Sequence, residues 1–272
     1  MLCIATVFTP GWLNGADPIR DELNKSKAVF ESEIGMYDKA VVAYFEKRED
    51  AARKETNKKQ VAQIKLEQLA YVESGDLPVD VTLAIRQLAS DAQKKLETAY
   101  QLGAKEYFKA KKDEEAEGVD KELLVALLKA KRATYLVDLK PIRITTIKEI
   151  GIGRSPRIVK NTDFDQAVIM HPGKRVYSEG VYKLNKGYTS FRSKVAVTRP
   201  EGVNQKGPET AAIFEVLANG RSLWRSKPVA VFDEIQESSV NLRGIDTFIL
   251  RVHCPGSNTH CHGHWLDPIL IR

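Results

Sequence analysis

Two hydrophobic periods divide the chain. From Asp17 to about residue 135, apolar side chains recur every three or four positions among Lys, Glu, Gln and Ala, the pattern of helix faces. After "YLVDLKP" (135–141), short β-branched and aromatic runs alternate apolar with polar and are punctuated by Gly, Asn and Pro, the pattern of strands.

Asp17-Pro18 is a helix start, because Asp caps free amides and proline at the first helical position gives up no needed hydrogen bond. Phe30, Ile34, Tyr37, Val41 and Tyr44 follow at spacings of 4, 3, 4 and 3, a coiled-coil-like seam. The seam weakens through "KREDAARKETNKKQ" (47–60), a solvated stretch, and returns with Val61, Ile64, Leu69 and Val72. "ESGDLPVD" (73–80) reads as a turn. Val81, Ile85, Leu88, Ala92, Leu96 and Ala99 then mark a second helix, so two long helices should lie antiparallel with their stripes buried together. A shorter helix is expected over about 121–135, after the acidic break "KKDEEAEG" (111–118). The stripes read first as core packing, and alternatively as a surface for self-association or a partner helix.

In the back part, strands are expected at 188–197, 211–217, 222–226, 229–235, 247–254 and 266–272. Asn219-Gly220 is a two-residue hairpin signal, since both residues tolerate positive φ. The expected fold class is multidomain α plus β: an N-terminal long antiparallel helical hairpin over 17–140 and a C-terminal antiparallel β-sandwich over 141–272.

Composition narrows the function classes. At 272 residues there is room for two cores, and 43% apolar with 29% charged residues is the balance of a soluble globular protein. No apolar run reaches ~18 residues, so no membrane span is expected. The net charge of +6 is concentrated after residue 142, where 19 Lys and Arg face 12 Asp and Glu. These charges stand singly rather than in a tract, which argues against a nucleic-acid partner. "MLCIATVFTPGWLNGA" (1–16) resembles the end of a secretory signal with Ala16 as the cleavage point, although a basic leading region is missing. Export to the periplasm, envelope or medium is therefore expected.

Four of the five histidines and two of the three cysteines crowd into "RVHCPGSNTHCHGHWLDP" (251–268), and three uses suit them. An extended "THCHGHW" would set His260, His262 and His264 on one face, each ~6.6 Å from the next, as zinc ligands. No carboxylate stands by to orient them, and no metal is assigned. Cys254 and Cys261 could close a small loop as a disulfide in an oxidising compartment; otherwise they are a small buried group and a free thiol. The third use is one wall of a ligand site, with Trp265 as an aromatic platform flanked by His262 and Asn258 and joined by His171. The alternative for Trp265 and Trp224 is the core of the sandwich. Nucleophile-elbow, phosphate-loop and H-E-x-x-H motifs are missing, and "GIGRSP" (151–156) reads as a connection, so neither catalysis nor a cofactor is expected.

"VIMHP", "YKLNKGYTSFRSKVAV", "AAIFEVLANGRSLWRSKPV" and "FILRVHCPGSNTHCHGHWLDPIL", in this order, resemble the NPCBM family of carbohydrate-binding-type modules over roughly 143–272. The resemblance rests on His171, Tyr188 with Phe191, Phe214 through Ser226, and His262 with Trp265 and Asp267. It implies a jelly roll of the galactose-binding-like type, a glycan partner, and calcium as a cofactor the family allows. The chain departs from the family at Cys261 and His264, where an acidic residue or Ala is common, and at Asn219 in the hairpin. A helical part leading into such a module is also similar to multidomain exported proteins of bacteria. The expected function is non-catalytic glycan binding by an exported protein; the alternative is a scaffold that oligomerises through its helices.

Overall fold

The computed structural model describes residues 17–145, 148–153, 157–159, 162–173 and 176–272. The signal-like stretch 1–16 lies outside the described residues. Four helices come first: α1 (Pro18–Lys54), α2 (Lys58–Ser74), α3 (Leu83–Lys109) and α4 (Asp113–Lys129). The strands are β1 (Ala133–Tyr135), β2 (Arg143–Thr145), β3 (Lys148–Gly153), β4 (Arg157–Val159), β5 (Thr162–Phe164), β6 (Ala167–His171) and β7 (Tyr177–Lys183). They continue as β8 (Ser190–Val197), β9 (Ile213–Ala218), β10 (Arg221–Arg225), β11 (Gln236–Asn241), β12 (Thr247–His253) and β13 (Gly263–Ile271). Contacts gather these into two compact units: described residues 17–46 with Thr82–Ala126, and Lys47–Val81 with Leu127–Arg272.

The first unit is helical. Asp17 caps α1, its Oδ1 accepting from the Ile19 and Arg20 amides at 3.1 Å each. Phe30, Ile34, Tyr37 and Val41 are buried as expected, but the stripe continues through Phe45. A straight helix turns 3.6 rather than 3.5 residues per turn, so the buried face drifts by one position. α3 runs antiparallel to α1, with Gly103 against Leu23 and Lys95 paired to Glu33 at 2.5 Å. Its buried stripe is Ala89, Ala92, Leu96, Tyr100, Gly103 and Tyr107, while Leu88 stays exposed. The acidic stretch is not a break: Asp113, Glu114 and Glu115 form the first turn of α4, where the exposed amides favour negative charge.

In the second unit the long first helix expected from the sequence is interrupted. Thr56 adopts φ 56° and the Asn57 side chain caps α2 by accepting from the Gln60 amide at 3.1 Å. α2 therefore folds back, with Arg48 paired to Glu67 at 2.5 Å. Residues 133–135 leave the helical period to pair as β1 with β13.

Two antiparallel sheets make a sandwich. One is ordered β11-β8-β13-β6-β3, with β1 also pairing to β13; the other is β10-β9-β12-β7-β2. β4 and β5 form a separate pair. Phe191 and Val195 from the first sheet and Phe214, Phe248 and Leu250 from the second share one buried core. β12 alternates half-buried with buried positions, sending Phe248, Leu250 and Val252 inward and Arg251 and His253 outward. At the β9–β10 hairpin Asn219 and Gly220 take φ 52° and 71°, as the two-residue signal required. Residues 229–235 are not a strand: only Val229 bridges, to Ala212, and the positive φ of Asp233 (62°) turns the chain before β11. Gly151–Gly153 pair with β6 instead of forming a connection.

Candidate functional site

Trp265 is fully buried, which overturns its assignment as a solvent-facing platform. It occupies β13 between Val168 of β6 and Val195 of β8, and the pleat aims it at the facing sheet. In the core it meets Phe214 of that sheet edge-on, centroids 5.4 Å apart, with Trp224 of that sheet and Phe191 of its own sheet at 6.0 Å each. Its Nε1 has no hydrogen-bond partner among the described residues. An indole closed in this way packs the core and cannot stack on a sugar.

The other three nominated residues come together. His171 ends β6, Asn258 lies in the loop leaving β12, and His262 lies just before β13. His171 Nε2 donates to the Asn258 carbonyl at 3.0 Å, and Asn258 Nδ2 donates to the Pro172 carbonyl at 3.2 Å. The His171 and His262 rings stack, centroids 4.5 Å apart and 17° from parallel. Both rings are half-buried. Burial, with the neighbouring His171 and His260, holds His262 below the ordinary imidazole range. With Nε2–H of His171 engaged, its Nδ1 is an acceptor. The His262 ring has no hydrogen-bond partner among the described residues, so it offers one donor and one acceptor.

The same loop breaks the zinc arrangement. His260 has φ 59° and so sits in a turn rather than on a strand face. His264 is buried, its Nδ1 3.0 Å from the His262 carbonyl and 3.3 Å from Thr198 Oγ1. Among the described residues no group of His, Cys, Asp or Glu is placed to hold a metal ion. Calcium fits no better: it needs six to eight oxygen ligands, whereas positions 261 and 264 supply a thiol and an imidazole. The nearby Asp267 is pushed above the ordinary carboxyl range by burial and by Asp165, despite accepting from the Gln166 amide at 2.9 Å.

A second constellation, not singled out from the sequence, lies on the outer face of the second sheet. Arg251 grips Glu179 through Nε (3.1 Å) and Nη2 (2.8 Å), and Arg143 takes the other oxygen of Glu179 at 3.1 Å. Across the strand, Glu215 meets His253 Nε2 at 3.0 Å and Arg225 at 3.4 Å. Burial alone would raise Glu215, but hydrogen bonds from His253 and Ser222 and the charge of Arg225 hold it below the usual range. The Arg251 guanidinium also covers the half-exposed ring of Tyr177, 4.2 Å from its centroid. The available signal was charge at alternate positions of apolar strands, as in "YSEGVYK" and "TFILRVH". A cavity of about 570 Å3, flanked by Asp76, Lys131, Tyr188 and Arg272, is lined by none of the candidate ligand residues.

With the sandwich and its motif residues in place, comparison with known families is decisive for this region. Residues 148–271 match the NPCBM/NEW2 domain. The match begins at β3, ends at the last residue of β13 and includes every nominated site residue. Among solved structures, the chain is similar to the CBM51 of GH95 from Clostridium perfringens, in complex with methyl-galactose: 22% identity over 51% of this chain and 99% of that one, TM-score 0.42. It is also similar to the CBM51-2 and INT domains of Clostridium perfringens ZmpB, the former in complex with GlcNAc: 19% identity, 52% and 31% coverage, TM-score 0.43. A third is the tandem CBM51 modules of Sp3GH98 from Streptococcus pneumoniae: 16% identity, 52% and 47% coverage, TM-score 0.42. The chain thus spans under half of the last two structures. No curated protein matches the chain.

Proposed function

We propose that the NPCBM/NEW2 region binds a glycan reversibly and without bond cleavage, through the end of the sandwich formed by His171, Asn258 and His262, in a protein that works outside the cytoplasm. The observation that carries this reading is the half-exposed His262 ring, stacked on His171 and free of hydrogen-bond partners among the described residues. Sugar hydroxyls need oriented donors and acceptors, and a ring pair held by the Asn258 carbonyl supplies them without further ordering. The family match and the galactose and GlcNAc complexes of similar modules support the substrate class. No helix among the described residues is long and apolar enough to cross a membrane.

The test is glycan-array and affinity-gel retention of the full chain, wild type against His262→Ala and His171→Ala. Loss of one oriented hydrogen bond should weaken retention about tenfold in each variant while the circular dichroism is unchanged. A wild type retained by no glycan, or variants retained equally well, would refute the proposal.

A second reading is favoured by Val29 and Met36, one heptad apart on α1 and about half exposed. Here the helices self-associate and the sandwich is a passenger. It predicts a dimer or larger species of the full chain by analytical ultracentrifugation, reverting to monomer in Met36→Lys.

A further inference from the structure

We infer that Cys254 and Cys261 are a disulfide-forming pair that ties the two sheets of the sandwich together at the end bearing the Asn258 loop. Cys254 follows the last residue of β12, in one sheet, and Cys261 stands two residues before β13, the central strand of the other. Both are fully buried in the shared core. The Cys254 thiol donates to the Ser257 carbonyl at 2.9 Å, and the Cys261 side chain is its neighbour in the core. The neighbouring Cys261 holds Cys254 below the ordinary thiol range, while Cys254 and burial push Cys261 upward. Two neighbouring thiols, both fully buried in one core at facing chain ends, are placed to join.

The chemistry is thiol–disulfide exchange with an external low-molecular-weight disulfide. The Cys254 thiolate attacks one sulfur of that oxidant and expels one thiol, leaving a mixed disulfide on Cys254. Cys261, deprotonated in turn, attacks the Cys254 sulfur and expels the second thiol. Two protein thiols and one external disulfide become one protein disulfide and two external thiols, which carry away the two protons and two electrons.

Burial decides when this happens. The loop over the pair is pinned: the Cys261 amide donates to the Asn258 carbonyl (3.1 Å) and the Glu209 amide to the Thr259 carbonyl (3.4 Å). A Cβ on Gly256 would lie 2.5 Å from Thr210 Oγ1, so the loop sits close against its neighbour. An oxidant reaches Cys254 only while the chain is folding or the loop is open, and the finished bond is then closed to reductants. The cross-link is independent of what the sandwich binds.

The test is to fold the full chain carrying Cys3→Ser in a buffer of oxidised and reduced glutathione. Alkylation under denaturing conditions should label neither remaining thiol, and peptide mapping should find Cys254 joined to Cys261. Dithiothreitol should reduce the bond at least tenfold faster in denaturant than in native buffer. Two alkylated thiols after oxidative folding, cysteines joined between chains, or equal reduction rates in the two buffers would overturn the inference. In the Cys254→Ser and Cys261→Ser variants the surviving thiol should label only after denaturation. Labelling of that thiol in native buffer would contradict the closed pair.

Discussion

The indole of Trp265 and the imidazole of His262 stand three residues apart and answer to opposite constraints. Trp265 is fully buried against three aromatic neighbours, so Trp265→Ala should cost about 3–5 kcal/mol in chemical denaturation, the range for removing a large aromatic from a closed core. A retention assay on that variant would report unfolding rather than binding. His262 leaves the strand period before β13 begins, and its ring is half-buried beside another imidazole. Its folded form releases the proton more readily than the unfolded chain, whose histidine keeps the ordinary value of 6.5. The stability contributed by neutral His262 is therefore complete above that value and declines as the pH falls through it towards the lower folded value. Urea titrations between about pH 7.5 and 5.5 should show the midpoint falling in the wild type and a shallower fall in His262→Gln.

Among elements, α3 and the outer face of β7-β12-β9 carry the sharpest expectations. Gly103→Ala should gain about 1 kcal/mol of helix propensity, but the new Cβ would lie 2.8 Å from Leu23 Cδ2. Leu23 is buried and cannot swing away, so overpacking wins and thermal unfolding should show a net loss of about 1 kcal/mol. On the sheet, Glu179 is 96% buried at its side chain and holds two arginines. Glu179→Gln leaves Arg251 without its charge partner on that side and should cost about 3 kcal/mol by urea denaturation. The helical stripes were legible from residue spacing because burial follows the helical repeat, yet the seam chosen for α3 put Leu88 inside. Spacing fixes a stripe only to within one position when neighbouring rows are both apolar. The break at Thr56 was harder to read, since a capping Asn in a run of charged residues looks the same whether the helix stops or continues.

For the molecule as a whole, the two contact units do not follow the change of period near residue 140. Residues 47–81, helical by pattern, gather with the sandwich, and 133–135 enter its first sheet. Local pattern reports which face of an element is apolar, and says nothing of which distant element will cover it. By itself the sequence determined the helix-then-strand order, the Asn219-Gly220 turn and the family of the sandwich, since each depends on short-range geometry or on a motif spread over the strands, whereas the meeting of His171 with Asn258, across 87 residues, and with His262 is a tertiary contact. Only the tertiary structure decided that Trp265 points inward, that His260 and His264 leave the face they would have shared with His262, and that Cys254 meets Cys261. The direction of a strand side chain depends on register, and a shift of one residue exchanges core for solvent.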